Sequence, residues 1–137
     1  MERNKMLVLN CETLEFEVKE LPSSKVGYET LSETVGGYIE HVTYDRDFAN
    51  RRIDMWIDEE GKLKGLNPCV AVVDENSVMM DIIVGNVVFT TCDIEGDSFG
   101  LTDEEIGFIK TKFGTAYMRN ATNLEEVREI KRFVFNL

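Results

Sequence analysis

Between Gly36 and Gly65 the chain reads GGYIEHV, then RRIDMWI, then DEEGKLKGL, a series of strand-like segments broken by glycine-framed turns. Residues 52–58 set the period: Ile53, Met55 and Ile57 fall on one side, and Asp54, Trp56 and Asp58 on the other, as in a half-buried strand. Upstream, residues 37–43 put Tyr38, Glu40 and Val42 on one face and Ile39, His41 and Thr43 on the other. Before them Tyr28, Leu31 and Val35 recur at helical spacing, and Gly36 with Gly37 supplies the left-handed stop that a helix end favours. Downstream, Gly61 and Gly65 stand where positive φ is cheap, and Asn67-Pro68 punctuates the chain again. The stretch reads as one turn-rich β module.

The flanks repeat this alternation. Residues 5–9 and 16–19 form a hairpin, with Leu14, Phe16 and Val18 alternating against Glu15, Glu17 and Lys19. Residues 69–73 and 80–91 are β-rich, and Gly85-Asn86 divides the second run as a two-residue hairpin turn does, which makes these the expected central strands. Two S/T-x-x-E boxes, Thr102 with Glu105 and Thr122 with Glu125, announce two closing helices. The first buries Ile106, Ile109 and Phe113 and stops at Gly114. The second, over residues 122–135, carries Leu124, Val127, Ile130 and Val134 on one stripe, with Arg128, Lys131 and Arg132 near its end. The expected fold is α+β: a small mixed, mainly antiparallel sheet with hairpins, covered by about three helices, in a single domain over residues 1–137.

Fifteen basic and 26 acidic side chains leave the protein at −11, so its outer field repels phosphate backbones and direct nucleic-acid binding is not expected. That balance fits plain solubility, docking on a basic protein, or imitation of nucleic-acid charge. No apolar run approaches the roughly 18 residues of a membrane span, and MERNKMLVLN lacks a secretory h-region, so a cytoplasmic location is expected. Cys11, Cys69 and Cys92 are odd in number and without a CxxC, which points to buried thiols rather than to disulfides or zinc. Asp93, Glu95 and Asp97 alternate in an acidic loop that does not follow the calcium-loop pattern. His41 is the only histidine and no nucleophile elbow occurs, so the reading is binding without catalysis, metal or cofactor. His41 itself is expected to be a strand histidine satisfied by a hydrogen bond.

GGYIEHV, IDEEGKLKGLNP, DIIVGNVVF and GDSFGLTDEEIGFIKTKF, in that order, resemble successive blocks of the bacteriophage and mobile-element family DUF3846, a domain of unknown function. The resemblance covers about residues 31–113. Gly36, Gly37, Tyr38, Glu40, Asp58, Glu60, Gly61, Gly65, Asn67, Asp81 and Gly85 match it position by position, whereas Asn67-Pro68 departs from a pattern with prolines ahead of the asparagine. It implies a phage-type accessory protein of a bacterial host, places residues 122–135 outside the shared core as an elaboration, and carries no activity. Two counter-defence roles then present themselves. In the first, the protein is a sponge that sequesters a small nucleotide-like immune signal in a recess lined by Tyr38, Glu40, Trp56, Asp58, Lys64 and Asn67, with Trp56 stacking on a ring rather than capping the core. In the second, an acidic inhibitor docks on a basic host protein as a nucleic-acid mimic. A homo-oligomer is compatible with either.

Overall fold

The computed structural model of the chain describes residues 2–119 and 127–135. In chain order the elements are β1 (Lys5–Leu9), β2 (Phe16–Glu20), α1 (Tyr28–Val35), β3 (Ile39–Val42), α2 (Arg46–Asn50), β4 (Ile53–Asp58) and α3 (Gly61–Lys64). They continue with β5 (Pro68–Val73), β6 (Met79–Val84), β7 (Val87–Cys92), β8 (Ser98–Phe99), α4 (Asp103–Thr111), β9 (Phe113–Arg119) and β10 (Val127–Val134). Among the described residues no helix is long and apolar enough to cross a membrane.

The strands form two sheets. The larger runs β2-β1-β7-β4-β3, with β8 beside β7, and the smaller runs β6-β5-β10-β9. The apolar runs of β1 and β7 are buried on both faces, which an alternating strand with one wet face cannot be. Leu7, Leu9, Val87 and Phe89 look towards the second sheet, where they meet Val70, Val72, Ile83 and Phe133. Met6, Val8 and Val88 look the other way, onto Leu31 and Val35 of α1. The molecule therefore stacks helix, sheet and sheet, and the principal core lies between the two sheets.

Phe89 anchors that core. Its ring is fully buried and touches Phe16, Phe48 and Phe113, with centroids 6.2, 6.4 and 5.8 Å away. Edge-to-face contacts of this kind add about 0.5–1.5 kcal/mol to the area they bury. The helices serve the edges. In α1, Leu31 and Val35 lie one turn apart on the buried side, and Gly36 closes the helix at φ 97°, a backbone conformation costly for residues with a Cβ. The N-terminus of α4 carries the full capping box expected of it: Thr102 Oγ1 accepts the Glu105 N–H, and Glu105 Oε1 accepts the Thr102 N–H.

Several expectations are overturned. A single sheet covered by about three helices is replaced, among the described residues, by two sheets with four short helices. Residues 127–134, expected within a closing helix, form strand β10, parallel to β5 and antiparallel to β9. The Thr122–Glu125 box of that helix lies outside the described residues. Gly85-Asn86 is not a hairpin turn. Asn67 O accepts the Gly85 N–H, and the chain there leaves the second sheet from edge strand β6 and enters the first as interior strand β7. Only β7 of that pair is central. The end of α4 also differs: Lys112 is the C-cap, and Phe113 and Gly114 already belong to β9.

Candidate functional site

The register of β3 on β4 decides which of the anticipated ligand-binding residues can meet. His41 lies opposite Trp56 and Ile39 opposite Asp58, so these four share the face towards α1, while Glu40 and Val42 lie opposite Ile57 and Met55 on the other. Trp56 packs half-buried against the α1-side core, its indole N–H donating to Thr90 Oγ1 at 2.9 Å. It caps that core. His41 stands beside it, 5.2 Å between ring centroids, with Nε2 2.8 Å from Asp54 Oδ1. That is the hydrogen-bonded strand histidine the sequence suggests.

Asp58 and Lys64 do come together. The Asp58 carboxylate, almost wholly buried, accepts the Glu60 N–H at 2.8 Å and Lys64 Nζ at 2.8 Å. The hydrogen bond to Asp58 holds the Lys64 ammonium above the usual lysine range, and Gly36 O accepts from the same Nζ at 3.4 Å. Lys64 thus ties α3 to the end of α1 rather than standing open for a phosphate. A Cβ on Gly37 would lie 2.5 Å from Lys64 Nζ and 2.9 Å from Asp58 Oδ2, so a larger residue there would displace the Lys64–Asp58 pair. Gly65 and Gly85 do take positive φ, whereas Gly61 opens α3 tight against Val84.

Of the remaining residues, Tyr38 and Asn67 lie apart, and Glu40 meets Asp58 only at the margin of a cleft. Tyr38 is 63% exposed, and its carbonyl accepts the Glu59 N–H. The role of Asn67 visible here is that of its carbonyl, accepting the Gly85 N–H at 2.8 Å. Glu40 borders a cleft of about 200 Å³ between the β3–β4 edge of the first sheet and β6 of the second. Its apolar wall includes Val42, Ile57 and Ile83, and its polar groups are Glu40, Asp58, Glu59, Tyr44, Lys62 and Asp81. The Tyr44 hydroxyl donates to Asp81 Oδ2 at 2.6 Å, and Lys62 Nζ donates to Asp81 Oδ1 at 2.9 Å. Burial works against the Asp81 charge, but these two donors and the Ile82 N–H outweigh it and hold the carboxyl below its ordinary range. The Tyr44 hydroxyl is pushed well above its ordinary value, first by burial and then by its bond to Asp81. It remains a proton donor at neutral pH.

Sequence reasoning missed the cleft as a unit, because Tyr44 follows β3 and Lys62 and Asp81 come from other elements. The one available signal was parity: Tyr44 continues the Glu40–Val42 face. A second, more open recess of about 440 Å³ is lined by Glu2, Glu20, Asp103 and Glu104 around Lys5, whose ammonium bonds Asp103 at 2.9 Å. Carboxylates dominate both recesses, and this disfavours phosphate in either. Cys69 is buried, its thiol pushed up to about 12 by burial, and is therefore inert as a nucleophile at neutral pH. The carboxylates of Asp93, Glu95 and Asp97 lie within 4.8 Å of one another. Asp93 Oδ1 accepts the N–H groups of Glu95 and Asp97, which shapes the loop.

Residues 4–114, more than half of the chain, match the family model described as Domain of unknown function (DUF3846), so the match begins well before residue 31 and ends at the start of β9. No curated protein and no solved structure matches the chain.

Proposed function

The chain belongs to the DUF3846 family, and from that premise we propose that it works by binding, without catalysis, and that its acidic exterior docks on a basic face of a protein partner. One observation carries this reading. The basic side chains are largely engaged within the molecule: Arg3 with Glu105, Lys5 with Asp103, Lys62 with Asp81, Lys64 with Asp58, and Lys112 with Asp45 and Asp47. Arg128 is spent on the Cys11 carbonyl. Among the described residues Glu12, Glu29, Glu33, Glu59, Glu60 and Glu75 are exposed and form no such pair. The net charge of −11 is thus concentrated on the outside, where it steers association with a positive surface.

Large positive surfaces on proteins are most often those that hold nucleic acid, so the partner we favour is a nucleic-acid-binding protein whose channel the chain occupies. A phage-type inhibitor of a host defence enzyme is the biological form of this reading. Sequestration of a nucleotide-like signal draws less support. The cleft holds about 200 Å³, below the roughly 300–1,000 Å³ usual for ligand pockets, and the recess of about 440 Å³ is lined mainly by carboxylates. The indole N–H of Trp56 and the ammonium of Lys64 are also already engaged.

Competition tests the proposal. A partner recovered with the tagged chain from host cells is titrated with labelled duplex DNA in the presence and absence of the chain. Displacement of the DNA in a mutually exclusive manner is the expected result. A partner that binds DNA and the chain at once overturns the reading, as does a tight calorimetric signal from a panel of linear and cyclic dinucleotides with no protein partner.

A further inference from the structure

Resting on that docking reading, we infer that the open edge of β3 receives an extended basic segment of the partner. The segment adds to the first sheet as a strand and sets an arginine or lysine side chain in the cleft beside Glu40. Strand β3 ends its sheet, so among the described residues one side of its backbone has no neighbouring strand. The bond from Glu59 N–H to Tyr38 O fixes the ladder's parity: Glu40 and Val42 turn their backbone groups towards β4, and Ile39 and His41 turn theirs outward. Among the described residues no group meets those of Ile39 and His41. Proteins blunt such edges by keeping them very short or with charges, proline or a bulge; β3 is only four residues long and carries Glu40, but IEHV has neither proline nor lysine and pairs without a register shift.

Side chains of an added strand obey the same parity, with cross-strand neighbours about 5 Å apart on one face. Those that fall beside Glu40 and Val42 point to the cleft mouth. There Val42, Ile57 and Ile83 offer apolar contact for methylene groups, and Glu40 and Glu59 offer carboxylates for a cationic head. Asp81 is already matched by Lys62 and Tyr44, which leaves Glu40 and Glu59 as the unmatched charges. A cleft of about 200 Å³ suits one long side chain. Charge selects the occupant: a second copy of this chain, itself at −11, would bring only His41 as a basic group to a β3–β3 pairing, whereas a basic segment complements the edge. Main-chain bonds then supply affinity and the cleft supplies selectivity.

The test uses a blocked octapeptide of alternating valine and arginine, followed by amide NMR and calorimetry. The amides of Ile39 and His41 should shift and their exchange should slow. The double variant Glu40→Gln, Glu59→Gln, both exposed positions, should weaken binding about tenfold with the unfolding temperature unchanged. The same peptide N-methylated on alternate residues keeps its charge and should also lose about tenfold. Equal binding of the N-methylated peptide overturns strand addition, and equal binding by the double variant overturns the cleft. If the chain displaces DNA from the recovered partner as proposed while β3 stays unperturbed, the docking reading stands and this inference falls.

Discussion

A chain ended after Arg119 is expected to lose cooperative unfolding altogether. Strand β10 is interior, seated between β5 and β9, so its removal strips hydrogen-bond partners from both. Ile130 and Phe133, each about 1% exposed, leave with it. Phe133 lies 5.0 Å from Phe113 and 5.7 Å from Phe48 between ring centroids, so the main core opens and not only a margin of the second sheet. Burying a side chain of this size contributes about 1.5–3 kcal/mol, and small domains hold only about 5–15 kcal/mol in all. Circular dichroism during thermal and urea unfolding checks this. A truncated chain that melts in one sharp transition near the full-length temperature would show that β10 is dispensable. The result bears on the family as well, because the family match ends at residue 114 and the described strand that completes the second sheet lies beyond it.

Phe89→Ala in the full chain should cost about 3–5 kcal/mol, the usual range for deleting a buried aromatic ring. Phe89 is fully buried on β7 and meets three other aromatic rings, so neighbours drawn from both sheets and α2 would have to move to fill the void. Urea unfolding gives the value through the midpoint and slope. A loss below about 1 kcal/mol would mean that the two sheets do not share this core. Phe89→Leu, which keeps most of the volume, should cost clearly less.

Local signals were legible where one element carries its own information. The β1–β2 hairpin, helix α1 with its Gly36 stop, the alternation of β4 and the capping box of α4 could all be read from spacing. Non-local pairing could not. VREIKRFV satisfies a helical stripe through Val127, Ile130 and Val134 and lacks a strand's alternation, yet it lies parallel beside β5, with Ile130 and Phe133 buried in different clusters. Gly85-Asn86 has the chemistry of a hairpin turn, but the strands on either side bury their apolar residues in different sheets. The site suffered from the same limit. Face parity in β3 and β4 already separated Glu40 from Trp56, whereas nothing local ties Asp81 to Tyr44, 37 positions away.

On the docking proposal, unmatched surface carboxylates drive association with a basic protein. The most direct measurement is the affinity for the recovered partner across sodium chloride from about 50 mM to about 500 mM. The account predicts a steep, steady loss of affinity as salt rises, shallower in the Glu40→Gln, Glu59→Gln variant. Affinity that holds constant across that range would contradict it.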